Sequence, residues 1–289
     1  MTAAKIAPNP VLVTGAGGRV GRALRVVWSE KPGKSVPILW QSRNFFASHD
    51  VHWDIGQNPP PMLPSGLIVL HLAGKTSGTA QDLAANAIVT GAVCAAAVAY
   101  RACHVFVMST AAVYGPGPFP LRETDMPAPV NPYGASKLAA ERVAERVLQG
   151  SGTGLTLLRL ANLAGADALL GNAIPGRTVT LDPIAGQPDG PERSYIGPRA
   201  LAQVLADLVA LAAAGVTVPA VLNLAQQPPM SMAGLLQARG HEWQFGPARP
   251  GAVPRVVLAT DRLAALTDLP QTSPEALIAD LDSIPGWPR

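Results

Sequence analysis

Tyr133 and Lys137 stand four residues apart in the segment Tyr133-Gly-Ala-Ser-Lys137. At helical spacing the two side chains share a face. A phenol with a pKa of about 10 is a poor acid–base group at neutral pH. An ammonium one turn away favours phenolate, so the spacing predicts a tyrosine of lowered pKa. Ser109-Thr110 ends the apolar run Val105-Phe-Val-Met108. A hydroxyl there could hold a substrate oxygen beside the phenol. Such a trio suits a reaction in which tyrosine moves a proton while a nicotinamide cofactor moves a hydride. Tyr-x-x-x-Lys alone is weak, because it falls by chance on many solvated helix faces. Here a glycine turn and the strand-end hydroxyls precede it in the required order.

The glycine turn is Val11-Leu-Val-Thr-Gly-Ala-Gly-Gly-Arg-Val-Gly21. Three apolar residues predict a buried strand, and Arg22 to Trp28 can begin a helix. Glycines between strand and helix let backbone N–H groups approach a pyrophosphate at the helix N-terminus. The spacing of Gly15, Gly18 and Gly21 is Gly-x-x-Gly-x-x-Gly, not the Gly-x-Gly-x-x-Gly of the familiar fingerprint. Ser35 to Trp40 is expected as a second strand. Dinucleotide sites commonly place an acidic residue near its end, on the ribose 2′-hydroxyl. None occurs between Val36 and Ser48, where the chain offers Arg43, with Arg19 in the glycine loop. Two guanidinium groups suit a 2′-phosphate, which favours NADP over NAD.

The elements that must position these groups alternate between strand and helix. Val51 to Ile55 is expected as a short third strand whose Asp54 could meet adenine. A proline-rich loop, Pro59 to Pro64, follows. Leu67 to Leu72 is a continuous apolar run, the mark of a central parallel strand. Its end, Ala73-Gly74, would bring backbone close to a cofactor. Leu83 to Ala102 is expected as an alanine-dense helix, with Asn86 in its first turns able to help fix the turn at the site. Ala135 to Leu148 is the next helix, after a proline-rich loop from Gly115 to Pro132. Leu201 to Ala213, Pro219 to Leu224, Ser231 to Ala238 and Pro274 to Asp282 are expected as helix, strand, helix and helix.

Composition narrows the class. The 289 residues exceed what one ordinary domain needs, and 48% hydrophobic content can bury a sizeable core. A net charge of +3 with no Lys/Arg run gives no case for a nucleic acid or membrane partner. Ala200 to Ala214 comes nearest to a membrane span but carries Gln203 and Asp207. Cys94 and Cys103 are too few for a disulfide framework. With no secretory signal apparent, a cytoplasmic protein is the expectation.

Four segments taken together carry a resemblance: Thr14 to Gly21, His71-Leu-Ala-Gly74, Ser109-Thr-Ala-Ala-Val-Tyr-Gly115 and Tyr133 to Lys137. As a collinear set they resemble an extended short-chain dehydrogenase/reductase, of the NAD(P)-dependent epimerase/dehydratase family typified by nucleotide-sugar epimerases. Leu158-Arg-Leu-Ala-Asn162 resembles that family's Arg-x-x-Asn strand end, and Arg193-Ser-Tyr-Ile-Gly-Pro its Arg-Asp-Tyr-Ile-His-Val segment. The implied fold is α/β, a Rossmann-type doubly wound parallel sheet with a small C-terminal substrate lobe. Residues 1–165 and 193–225 would form the NAD(P)-binding domain, and 166–192 with 226–289 the lobe. The resemblance implies Tyr133 as acid–base, Lys137 as ribose contact and pKa tuner, and Thr110 on the substrate oxygen. It implies a cofactor along Gly15, Gly18, Arg19, Val20, Gly21, Arg43, Asp54, Ile55, Leu72, Ala73, Gly74, Ser109, Tyr133, Lys137 and Leu160. Substrate would meet Lys75, Thr76, Thr110, Asn162 and Arg193, and no metal is implied.

Two departures matter. The acid of the second strand is missing, and Gly197-Pro-Arg199 replaces the His-Val-Asp portion. The expected function is epimerisation or reduction of a sugar or nucleotide-sugar. A dehydrogenase or reductase of a smaller free sugar, sugar acid or other carbonyl compound is an alternative. Arg177 and Arg193 are candidate anion contacts in either case. A non-catalytic NADP-binding sensor is a different class, which the retained Tyr133 and Lys137 disfavour. A homodimer through the helices at 83–102 and 134–149 is expected from the resemblance.

Overall fold

The computed structural model describes residues 9–30, 36–43, 50–57, 62–117 and 119–287. Its central sheet has seven strands: β1 (Val11–Thr14), β2 (Ile38–Ser42), β3 (Val51–His52), β4 (Ile68–His71), β5 (His104–Thr110), β6 (Gly154–Leu160) and β7 (Val221–Leu224). Their order is β7-β6-β5-β4-β1-β2-β3. The pairings from β5 through β4, β1 and β2 to β3 are all parallel. This is the expected Rossmann-type α/β fold, with the order reversing beside β1, where such sheets bind ligands. The start of the expected second strand at Ser35, much of the Pro59–Pro64 loop and Pro118 lie outside the described residues.

The chain forms two compact units. The first comprises the described residues of Met1–Met108, Ser136–Leu157 and Ala206–Ala220. Here β1 and β4 are buried along their whole lengths, the condition that makes parallel strands continuously apolar. Helix α1 (Arg19–Ser29) turns Gly21, Ala23, Leu24 and Val27 inward. Helix α2 (Ala80–Ala99) starts three residues before the expected Leu83, because Thr79 and Asp82 form a reciprocal capping box. It stops at Ala99, not at Ala102. Arg101 takes a left-handed φ of 51°, and the N–H groups of Arg101 and Ala102 close onto the carbonyls of Val98 and Ala97. That is the helix-ending geometry usually given to glycine. Among the described residues α2 is the helix long and apolar enough to cross a membrane, which Ala200 to Ala214 is not. Here it serves as the crossover from β4 to β5, with Leu83, Val93, Cys94 and Ala97 buried.

The second unit comprises Ser109–Ala135, Leu158–Leu205 and Val221–Arg289, described to residue 287. Short strands organise it. Asn162–Leu163 pairs with Tyr195–Ile196, and Val179–Leu181 with Trp243–Phe245, both in parallel. Its core gathers Leu169, Leu170, Leu181, Tyr195, Met230, Leu235, Leu236, Leu277 and Leu281. The expected helices appear as α4 (Pro198–Ala213), α5 (Met232–Ala238) and α7 (Pro274–Asp282), with a single turn, α6 (Asp261–Ala264), between the last two. Helix α3 (Pro132–Leu148) starts earlier than expected. Asn131 Oδ1 accepts from the Gly134 N–H at 2.8 Å, and Pro132 takes the first helical position.

Candidate active site

In the first unit the glycine turn is shaped by close backbone approach. Gly15 has φ of 73°, and a Cβ on it would stand 2.6 Å from the Ala73 nitrogen. A Cβ on Gly21 would stand 2.6 Å from Ala16 Cα. These two glycines let β1, the turn after β4 and α1 pack together. Gly18 differs: a Cβ there would meet only the Gly15 carbonyl, at 3.2 Å. Gly18 is the N-cap of α1, makes no side-chain cap, and no acidic residue follows in the first turn. The positive end of α1 is therefore left without a carboxylate of its own.

A cleft of about 440 Å³ opens beside this turn. Gly15, Gly18, Arg43, Asp54, Ile55, Leu72, Ala73, Gly74 and Lys75 line it, all singled out from the sequence. Gly17, Gln41, Ser42, Ala85, Asn86 and Val89 line it as well and were not foreseen as contacts. Arg19, Val20, Gly21 and Thr76 are not lining residues. Arg19 and Val20 open α1, and Thr76 is exposed in the turn beyond Lys75.

Lys137 lies in the same unit and is buried. Burial lowers its pKa to about 8, against an opposing pull from buried Glu141 one turn along α3. A Cβ on Gly74 would stand 3.6 Å from Lys137 Nζ and 3.0 Å from Asn86 Oδ1, so glycine lets this turn lie close to both side chains. Asn86 is buried in α2 and fixes the turn from both sides. Its Oδ1 accepts from the Lys75 N–H at 2.7 Å, and its Nδ2 donates to the Lys75 carbonyl at 2.9 Å and to Ser136 Oγ at 3.0 Å. Lys75 itself pairs with Asp82. His71 ends β4 between Thr14 Oγ1 at 2.7 Å and Thr90 Oγ1 at 3.0 Å. Burial, and secondarily the charge of Lys137, lower its pKa to about 3, so it is neutral.

In the second unit Tyr133 and Thr110 are joined by a side-chain hydrogen bond. Gly134 permits this, since a Cβ there would lie 2.2 Å from the Ala112 carbonyl in the turn after Thr110. Thr110 Oγ1 also accepts from the Ala112 N–H at 3.2 Å and caps that turn. Burial raises the Tyr133 pKa, and the Thr110 hydrogen bond opposes the rise. This corrects the expectation of a lowered phenol: removal of water from the phenolate dominates. Tyr133 and Lys137 do lie one turn apart on α3. Ser109 is buried, and Leu160 ends β6 half-buried.

Beyond them, Tyr114 donates to Asn223 Oδ1 at 2.7 Å, and Arg159 lies over the Tyr114 ring at 4.6 Å. Asn162 bonds Tyr195, whose hydroxyl donates to Asp167 at 3.2 Å. Arg193, expected on substrate, donates to the carbonyls of Glu192 and Val253, each at 2.8 Å, and of Pro254 at 3.3 Å. Arg177 is exposed. The Gly197-Pro-Arg199 departure has a local cause. Asp280 accepts from the N–H groups of Arg199 and Ala200 at 2.8 and 3.1 Å, capping α4. A Cβ on Gly197 would lie 2.2 Å from Asp280 Oδ2. Nothing in the local sequence points to a carboxylate more than eighty residues away.

A family model described as NAD dependent epimerase/dehydratase matches residues 11–180. A UDP-glucose 4-epimerase of Azospirillum brasilense is 43% identical over 82 residues, which cover 28% of this chain and 22% of that protein. The matched stretch is thus about a fifth of that relative's length. Among solved structures, UDP-glucose 4-epimerase from Brucella ovis in complex with NAD has a TM-score of 0.77 at 20% identity, covering 93% of this chain and 96% of that one. UDP-glucuronic acid 4-epimerase from Bacillus cereus, in complex with UDP-glucuronic acid and NAD, has a TM-score of 0.72 at 17% identity, covering 95% and 98%. At these identities the likeness is one of fold.

Proposed function

Because the chain belongs to the NAD dependent epimerase/dehydratase family, we propose that it is a nicotinamide-dependent enzyme that epimerises or reduces a sugar or nucleotide-sugar. The observation that carries this reading is the hydrogen-bonded Tyr133–Thr110 pair at the head of α3, with buried Lys137 one turn on. The uncapped N-terminus of α1 and the glycine-lined cleft fit a dinucleotide pyrophosphate. When bound, a nicotinamide would supply hydride transfer. Tyr133 holds its proton at neutral pH, since its pKa is raised, and Thr110 orients that hydroxyl toward a substrate oxygen. Lys137, with a pKa of about 8, supplies a cation where a ribose would lie against Gly74. The likeness to proteins solved with UDP-glucuronic acid supports a nucleotide-sugar.

NADP is the favoured cofactor in this reading. Arg43 lines the cleft, and Gln41 and Ser42 stand where a ribose-binding carboxylate would be. The solved neighbours hold NAD, so the preference is a property of these residues and not of the likeness. Arg193 favours a second reading, a smaller sugar or sugar acid, because three carbonyls already engage its guanidinium. A homodimer through α2 and α3 is part of the proposal, and the exposed apolar side chains of Ile88 and Val98 on α2 support it. Nucleotide released from the purified protein should be a nicotinamide dinucleotide. The protein should then interconvert or reduce one member of a panel of UDP-sugars and free sugars. No bound dinucleotide and no thermal shift with either NADP or NAD would overturn the proposal.

A further inference from the structure

Gln41 is the penultimate residue of β2, with 2% of its surface exposed, yet it lies in the wall of the cleft. Its side-chain amide is turned to the protein. Oε1 accepts from the Gly15 N–H at 2.9 Å, and Nε2 donates to the Trp53 carbonyl at 2.6 Å. The Gln41 carbonyl also accepts from the Ala16 N–H at 3.0 Å. Gly15 begins the glycine turn, while Trp53 immediately precedes Asp54 and Ile55 on the far wall. One side chain thus joins the wall that would hold pyrophosphate to the wall that would hold adenine. A carboxylate at this position could not repeat the arrangement, because it would face the Trp53 carbonyl acceptor to acceptor.

We propose that Gln41 is a positioning residue for the adenosine half of the cofactor, holding the glycine turn to the adenine wall and leaving the ribose 2′ position to Ser42 and Arg43. This rests on the reading of the cleft as a nicotinamide dinucleotide site. In the usual site an acidic residue near the end of this strand reads the ribose; here fixing the turn and reading the ribose fall to different residues. Here the first belongs to Gln41, buried, and the second to its neighbours, of which Arg43 is exposed.

The test is titration of NADP, NAD, adenosine 2′,5′-bisphosphate and nicotinamide mononucleotide into wild type, Gln41→Leu and Arg43→Ala, at a temperature well below each variant's Tm. Gln41→Leu keeps the bulk and removes both ties. It should weaken NADP, NAD and the bisphosphate in parallel, each about 10-fold, as expected for two lost backbone hydrogen bonds. The NADP-to-NAD ratio should stay within about 3-fold of wild type, and the mononucleotide should be unaffected, since only the adenosine wall is released. Gln41→Asn, too short to span both partners, should not rescue. Unchanged affinities in Gln41→Leu with a lowered Tm would reduce the residue to a structural role and overturn the proposal. A ratio shifted 10-fold would also overturn it, by showing that Gln41 reads the 2′ position itself. Wild type binding neither dinucleotide would overturn the reading of the cleft and this proposal with it. Wild type preferring NAD overturns only the NADP preference, and a parallel loss in Gln41→Leu still supports the positioning role.

Discussion

Two helix N-termini in this molecule lie beside glycines that tolerate no side chain, for different reasons. At α1 the excluded space is backbone: Gly15 and Gly21 press on Ala73 and Ala16, and the helix end beyond Gly18 has no side-chain cap. At α4 the excluded space is a carboxylate: Asp280 fills the position a Gly197 Cβ would need and bonds the first amides of the helix. A helix N-terminus attracts an anion in either case. One end has been given an internal anion and serves stability. The other has not, which makes it the one suited to a ligand. Glycine alone therefore does not mark a binding turn. The marker is a glycine turn whose helix start has neither a side-chain cap nor an acidic residue of its own.

Several variants break or sharpen this contrast. Gly15→Ala should have the largest effect, a destabilisation above about 3 kcal/mol, since φ is positive and the new Cβ meets backbone. Thermal unfolding checks it, and a wild-type Tm would mean that the turn is not so packed. Gly18→Asp should convert α1 into a helix of the α4 kind. A Cβ there meets only the Gly15 carbonyl, at a tight 3.2 Å, and φ is −73°, so Tm should fall far less than in Gly15→Ala while dinucleotide affinity falls at least about 100-fold. Asp280→Ala should do the reverse at α4, costing about 1–2 kcal/mol with cofactor affinity unchanged. Arg43→Ala should weaken NADP about 10-fold and leave NAD alone.

The free protein should also lose stability in acid through His71. The unfolded chain takes up that proton near pH 6.5, whereas the folded chain refuses it until about pH 3. Stability is full above 6.5 and falls toward pH 3, by up to about 1.4 kcal/mol per pH unit. His104, lowered to about 4 by burial, adds to the same trend. Chemical denaturation at pH 7 and pH 5 should show a smaller difference in His71→Gln than in wild type.

The α/β fold was legible because its signals are local: the buried runs of β1 and β4, the glycine turn, and a tyrosine and lysine at helical spacing. Element ends were less so. Helix α2 ends without glycine because Arg101 adopts the left-handed conformation, which no sequence pattern announced. The Asn131-Pro132 start of α3 was readable, yet it was hidden at the end of a proline-rich loop. The site residues that went unread act over long separations. Gln41 reaches Gly15 and Trp53, and Asp280 reaches Arg199. The raised pKa of Tyr133 was equally invisible, because burial depends on residues brought in by the fold, whereas Lys137 is near in sequence.

The proposed chemistry rests on the tyrosine at the head of α3, so the most direct measurement is turnover by Tyr133→Phe with its cofactor bound. The ring and its packing are kept, and only the hydroxyl bonded to Thr110 is removed. Dinucleotide affinity should stay within about 3-fold of wild type, while kcat for the responsive sugar should fall at least about 100-fold, the usual share of a general acid–base group. Wild-type turnover in Tyr133→Phe would contradict the assignment.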